Sequence, residues 1–289
     1  MRRSMLFIPG NAPGLLINGN YLGADALIFD LEDAVAPEEK DAARILVRNT
    51  LKYMDFQGCE TIVRINALDT EYWKADLEEV LKHKPDLIML PKAGTEEEIR
   101  TADYFISELE SKFGHMPGSV GIMALIETAK GLENAYAIAG ASQRVMALFL
   151  GAEDLTADLR CQRTREGREI EYARSRLVSA ARAAGIDAYD TPFTDVADDE
   201  GIRSDALSAK ALGFSGKAAI SPRHVSVIND VFSPCPDEVN YAYEVMEVIT
   251  QAQMQGKGAV GLREKMIDAP IVARARQVIA MAEEMGAGR

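Results

Sequence analysis

"ALIFDLEDAV", residues 26–35, runs from an apolar stretch of strand type straight into three acids, Asp30, Glu32 and Asp33. A buried strand ends this way when its acids are solvated, paired or bound to a cation. The same design, an apolar or β-branched run closing on polar residues, recurs along the chain. It is found in "SMLFIPG" (4–10), "TIVRIN" (61–66), "DLIMLPK" (86–92) and "GIMALIET" (121–128). It returns in "VMALFLGAED" (145–154), "IDAYDTPF" (186–193) and "GKAAISP" (216–222). Between these runs, "EEEIRTADYFISELESKFG" and "EIEYARSRLVSAARAAG" space their apolar residues about 3.6 apart, the period of an amphipathic helix.

Strands alternating with helices predict parallel pairing through right-handed crossovers. Eight such units over about 220 residues match a closed (β/α)8 barrel. The alternative, an open doubly wound sheet, normally carries a glycine-rich phosphate loop after an early strand. "PGNAPG" (9–14) does not match G-x-G-x-x-G, and "GFSGK" (213–217) lacks the spacing of a Walker loop. The expected fold is therefore α/β: a (β/α)8 TIM barrel over residues 1–232, then a C-terminal helical extension over 233–289. The extension opens on the proline-marked "SPCPDEV". It continues as helical segments "EVNYAYEVMEVITQAQMQG" and "APIVARARQVIAMAEEMG", joined by "GKGAVGL", with no further strand series expected.

With 47% apolar and 27% charged residues over 289 positions, the composition is that of an ordinary soluble globular protein. The formal net charge of −13 argues against nucleic acid or an anionic membrane as main partner. It leaves an anionic substrate open, since a few arginines and a metal reverse the field inside a cleft. Cys59, Cys161 and Cys235 fit neither a disulfide framework nor a zinc spacing, which points to a reducing cytoplasm. The start "MRRSMLFIPG" breaks its short apolar run at Pro9 and Gly10, and no run approaches ~18 apolar residues. A soluble, untargeted protein is expected.

Active sites of such barrels lie at the carboxyl ends of the strands. Those ends carry Asp30, Glu32 and Asp33, then Arg64 and Asn66, Lys92, Glu127 and Thr128. Glu153 and Asp154 follow, then Asp190 and Thr191, and Ser221. His83, His115 and His224 are isolated and match no zinc motif, and surface or supporting roles are expected of them. What remains is carboxylate oxygen, the ligand type of Mg²⁺ or Mn²⁺. Glu127 and Asp154 are the sharpest pair, on adjacent strands about 4.8 Å apart. The alternative is that Glu127 pairs with Arg64 or Lys92 and no metal binds.

In order, "RRSMLFIPG", "ALIFDLEDAV", "VRIN", "LPK", "ALIET", "GAEDL", "GFSGK" and "KMIDAP" resemble the citrate lyase β-subunit family. That family falls within the HpcH/HpaI aldolase-like superfamily, beside malyl-CoA and citramalyl-CoA lyases. The resemblance runs from Arg3 to about Arg276. It implies a TIM barrel with bound Mg²⁺, assembled as a homotrimer. By the matching motifs Glu127 and Asp154 would be the metal ligands, and Arg64 would bind the substrate's carboxylate or carbonyl, with Phe7 and Lys92 beside it. Asp268 would be the acid/base, delivered by the tail into a neighbouring subunit's barrel. Read from its neighbours alone, Asp268 is a helix N-cap before Ala269-Pro270.

The implied reaction is retro-Claisen cleavage of a citryl thioester, on acyl-carrier protein or CoA, to oxaloacetate and an acetyl thioester. Citrate lyase alpha and gamma (acyl-carrier) subunits would be the partners. Asp30, Glu32 and Asp33 would orient Arg64 or metal-bound water, and Asp33 reads equally as a cap on the next turn. The chain departs from the family at three places. Ser221-Pro222 replaces the frequent His-Pro or Asn-Pro, and "GNAPGLLINGN" (10–20) lacks the lysines of CoA-specific relatives. Glu264 stands where glycine is more usual. The missing lysines favour a carrier-borne acyl group. Rival expectations are a malyl-CoA, citramalyl-CoA or β-methylmalyl-CoA lyase or a stand-alone thioesterase-like relative, an aldolase on a free 2-oxo acid, and a silent scaffold or regulatory subunit.

Overall fold

The computed structural model describes residues 1–56, 58–254, 260–263 and 265–286. Eight strands pair in parallel in chain order. They are β1 (Ser4–Pro9), β2 (Ala26–Asp30), β3 (Glu60–Arg64), β4 (Leu87–Leu90), β5 (Gly121–Ile126), β6 (Val145–Leu150), β7 (Asp187–Asp190) and β8 (Gly216–Ala219). β8 returns to β1, with Ser4 opposite Lys217, so the barrel is closed. All eight expected strands form, each ending one to five residues before its sequence run does. Asp30, Arg64 and Asp190 close their strands within the ladder, while Glu32, Asn66, Lys92, Glu127 and Asp154 lie beyond the strand ends.

Alternate residues of each strand point inward. Met5, Ala26, Ile28, Ile62, Leu87, Met89, Met123, Leu125, Ala147, Phe149, Tyr189 and Ala218 form the buried interior, with Phe7 packed on it. This filled core is what an eight-stranded barrel encloses. One step further along the same alternation come Asp30, Arg64, Glu127, Gly151, Thr191 and Ile220, the layer that closes the interior at the carboxyl ends. At the opposite end, Arg2 bonds Glu60 (2.8 Å) and Arg3 clasps Asp25 through Nε and Nη2, both at 2.8 Å. The two arginines at the chain's start thus hold the floor of the barrel.

The outer helices arise where the sequence places their periods and caps. Glu96–Phe113 starts at a capping box, with Thr95 accepting from Glu98 and Glu98 bonding back to the Thr95 amide. It stops at Gly114, whose φ of 72° is left-handed. Glu171–Ala184 fills the other strongly periodic segment. No helix among the described residues is long and apolar enough to cross a membrane.

The chain divides into two compact units, Arg2–Asp230 and Val231 onward with Met1. In the second, helices Pro236–Met254 and Ala269–Glu284 pack through Ala242, Val245, Ile249, Val272 and Ala275. Between them lie β9 (Val260–Leu262) and β10 (Lys265–Ile267), an antiparallel pair that buries Ile267 in the same cluster. This pair corrects the expectation of a strand-free tail. Three-residue strands are too short for the period of two to register in sequence. Glu264, one of the departures from the family pattern, lies outside the described residues.

Candidate active site

Pro9, Asp30, Arg64 and Met89 sit at one level across β1 to β4. Adjacent strands in register bring Asp30 and Arg64 side by side, and they meet as a bidentate pair. Arg64 Nε donates to Asp30 Oδ1 at 2.7 Å and Nη2 to Oδ2 at 2.6 Å. Arg64 Nη1 lies 3.0 Å from Glu32 and 3.6 Å from Asp33. Burial opposes the guanidinium charge, but these carboxylates outweigh it and its pKa is raised. Its carbon stands 5.1 Å over the Phe7 ring, and Phe7 meets Phe149 edge-on at 6.0 Å. A flat, always-charged group is thus held in one orientation, sandwiched between acids and an aromatic face.

Glu127 follows β5 directly and is 2% exposed. Its Oε1 accepts the Lys92 backbone N–H at 2.7 Å, from a Lys92 whose φ of 52° is left-handed. The ammonium of Lys92 goes elsewhere, 3.0 Å from Glu32. Glu127 therefore pairs with neither Arg64 nor the Lys92 side chain. Burial, then the charges of Glu32 and Asp154, push its carboxyl up to about 9. The register of β5 and β6 runs to Ile126 opposite Leu150, which puts Gly151 beside Glu127. A Cβ at 151 would stand 2.6 Å from Glu127 Cβ and 2.7 Å from its Oε2, so only glycine leaves room for this acid. Asp154 does not stand on the adjacent strand, as expected of it, since β6 ends at Leu150. It stands in the first turn of helix Ala152–Asp158, half-buried.

Arg64, Glu127 and Asp154 nevertheless line one cavity of about 440 Å³, with Asp30, Asp33 and Phe7. Leu125, Phe149, Pro192 and Ile220 supply its apolar wall. Glu32 lies behind Arg64 as an ion-paired support, its two oxygens making no regular hydrogen bond. Burial raises its pKa. No three His, Cys, Asp or Glu side chains among the described residues converge on one point. Two carboxylates, one with its pKa raised by burial and neighbouring negative charge, still suit a hard divalent cation that keeps water or substrate ligands. The donor set fits Mg²⁺.

Other strand-end residues expected at this mouth point away from it. Asp190 turns outward into a buried network with Arg174 (2.9 and 2.8 Å) and Lys217 (2.5 Å), because the inward positions of β7 are Tyr189 and Thr191. The Asn66 side chain donates to Asp76 at 2.7 Å. Ser221 Oγ only accepts the Arg223 amide at 3.3 Å, a local turn. Lys92 lies off the main cavity, beside a smaller hollow with Asp69 and Glu98. Asp33 reaches Arg64 while exposed, so no separate capping role is needed to account for it. His224 is fully buried against Phe193, contrary to a surface role. Asp268, in the second unit, is the N-cap of Ala269–Glu284, accepting from the Ile271 amide at 3.3 Å. Lys40 escaped the sequence reading; a lone lysine opening a helix carries no signal of the two buried carbonyls it serves.

Comparison with known proteins identifies the family. Residues 3–222 match the sequence family described as HpcH/HpaI aldolase/citrate lyase. The chain is 41% identical over 282 residues to citrate lyase subunit beta of Leuconostoc mesenteroides subsp. cremoris, spanning 98% of this chain and 93% of that protein. It is 35% identical to a (3S)-malyl-CoA thioesterase of Cereibacter sphaeroides, over 99% and 96% of the two chains. Among solved structures, protein CitE from Mycobacterium tuberculosis in complex with magnesium, acetoacetate and coenzyme A superposes with a TM-score of 0.80. That pair shares 30% identity over 98% of each chain. The chain belongs to the HpcH/HpaI aldolase/citrate lyase family.

Proposed function

We propose that the chain is a Mg²⁺-dependent acyl-thioester lyase that cleaves a citryl thioester to oxaloacetate and an acetyl thioester. The observation that carries this reading is the meeting of Arg64, Glu127 and Asp154 in one cavity at the carboxyl ends of the strands. Its support from outside the structure is the identity with citrate lyase subunit beta along nearly the whole chain. Glu127 and Asp154 hold the cation, which when bound acts as a Lewis acid on the substrate's oxygens.

The remaining work belongs to the chain. Cleavage of the carbon–carbon bond turns the citryl hydroxyl carbon into a ketone, the hydroxyl proton passing to the Asp268 carboxylate. The electron pair moves onto the thioester fragment as an enolate. Arg64, clamped by Asp30, Glu32 and Asp33, offers a fixed positive charge that needs no rearrangement as negative charge develops. Phe7 and the apolar wall keep that charge in a low-dielectric setting. Lys92 neutralises Glu32 and, through its backbone amide, steadies Glu127. Asp268 protonates the enolate carbon, reaching a neighbouring subunit's barrel within a homotrimer. The barrel domain spans 1–232 and the extension 233–289.

The acyl group arrives on an acyl-carrier protein, in a cytoplasmic complex with alpha and gamma subunits. The lysine-free stretch after β1 and the three free cysteines support this reading. Turnover of malyl-CoA or citramalyl-CoA is the second reading, favoured by the 35% identity with the thioesterase. The test follows Mg²⁺-dependent oxaloacetate release from citryl thioester on CoA and on carrier protein. Release should be faster from the carrier and fall at least ~100-fold in Asp268→Asn. No oxaloacetate from either thioester rejects the citryl assignment and turns attention to the malyl substrates.

A further inference from the structure

We infer that Lys40 and Arg44, one turn apart on helix Lys40–Tyr53, are positioning residues for Arg64; this rests on the role proposed above for that arginine. Neither lines the cavity. Lys40 Nζ donates to the carbonyls of Leu31 (2.8 Å) and Glu32 (2.6 Å). Both residues are buried; the Glu32 carbonyl also accepts the Val35 amide at 3.1 Å, so without the ammonium it is the Leu31 carbonyl that loses its partner. From the other side, the Asp30 carboxylate accepts the amides of Glu32 (2.9 Å) and Ala34 (3.1 Å) while clasping Arg64. The loop after β2 is therefore closed through its carbonyls by Lys40 and through its amides by Asp30. That closure sets Glu32 between Arg64 Nη1 and Lys92 Nζ, 3.0 Å from each.

Arg44 serves the next strand in the same manner. Its Nε donates to Asp76 Oδ1 at 2.8 Å. Asp76 Oδ2 accepts both the backbone amide (2.9 Å) and the side-chain amide (2.7 Å) of Asn66, two residues beyond Arg64. Asp76 is fully buried. One helix face thus carries two cations, one bracing the loop that supplies Arg64's acids and the other bracing the strand end that supplies Arg64 itself. Buried charges are costly to maintain, and here they go to backbone groups and to Asp76 flanking the same guanidinium, with a further Arg44 bond to the exposed Asp41 at 2.6 Å.

The test uses the full chain and two readouts. In arginine-selective ¹⁵N spectra the Arg64 Nε–H resonance is identified by its absence from Arg64→Lys. In Lys40→Met that resonance should shift or broaden, and kcat/KM on citryl thioester should fall roughly 10- to 100-fold. The loss should vanish when Lys40→Met is introduced into Arg64→Lys, because Lys40 acts only through Arg64. Should Lys40→Met not fold, Asp76→Asn carries the same expectation for the Arg64 resonance. An unmoved resonance in a folded variant, or losses that add in the double variant, overturns the inference. The spectra read out with or without turnover, so an inactive wild type counts against the citryl assignment alone.

Discussion

Glu127 combines near-complete burial with a carboxyl pushed up to about 9, chiefly by desolvation and then by Glu32. Without a cation, such a group keeps its proton at neutral pH, and a metal ion must displace it. Mg²⁺ affinity should therefore rise with pH up to about 9, by close to tenfold per pH unit where one proton is released. Stability of the metal-free chain runs the other way. The unfolded carboxyl releases its proton near its ordinary 4.5 and the folded one does not, so this group's contribution declines between 4.5 and about 9. Calorimetric titration with Mg²⁺ at about pH 6.5 and about pH 8.5, in buffers of different ionisation enthalpy, measures both affinity and proton release. Equal affinity at the two values would mean that Mg²⁺ displaces no proton from Glu127.

Strand phase decides which acids serve the site. Asp30 and Asp190 end their strands in the same way, "LIFD" and "DAYD", and both were expected at the mouth. Ala26 and Ile28 point inward, so Asp30 does too; Tyr189 points inward, so Asp190 does not. Asp190 instead shares Lys217 with Asp205, Nζ lying 2.5 and 2.6 Å from the two carboxylates, while Arg174 bonds both. Lys217 also donates to the carbonyl of Thr191 at 2.6 Å, the residue that turns back into the cavity wall. Lys217→Met leaves two buried carboxylates to a single arginine. It should cost about 3–5 kcal/mol of stability, read by denaturant unfolding. A cost below about 1 kcal/mol would mean that water or rearrangement satisfies the network. An acid at a strand end was legible in the sequence. The face it occupies was not, because a shift of one residue in where the strand's pairing begins reverses every side chain.

On the scale of the whole molecule, the proposed acid/base and the proposed metal ligands lie in different compact units of the chain. If Asp268 serves a neighbouring subunit, chains carrying Asp268→Asn and chains carrying Glu127→Gln should complement each other. Co-expressed and randomly assembled, they should restore about one site in four. Recovery of no activity from the mixture, with each parent inactive, would place Asp268 in its own subunit's site.

The sequence by itself determined the eight-unit barrel, the two long helices of the tail and the family motifs. These rest on local periodicity and on short residue patterns that need no partner to be recognised. Arg64, Glu127 and Asp154 were legible for the same reason, each standing where an apolar run ends. Only the tertiary structure decided that Asp30 clasps Arg64, that Lys92 serves Glu127 through its backbone, and that Gly151 makes room for that acid. It also decided that Lys40 and Arg44 brace the arrangement from behind. Those facts depend on strand register, on inward phase and on distances between segments 8 to 35 residues apart, and such contacts exist only once the chain has folded.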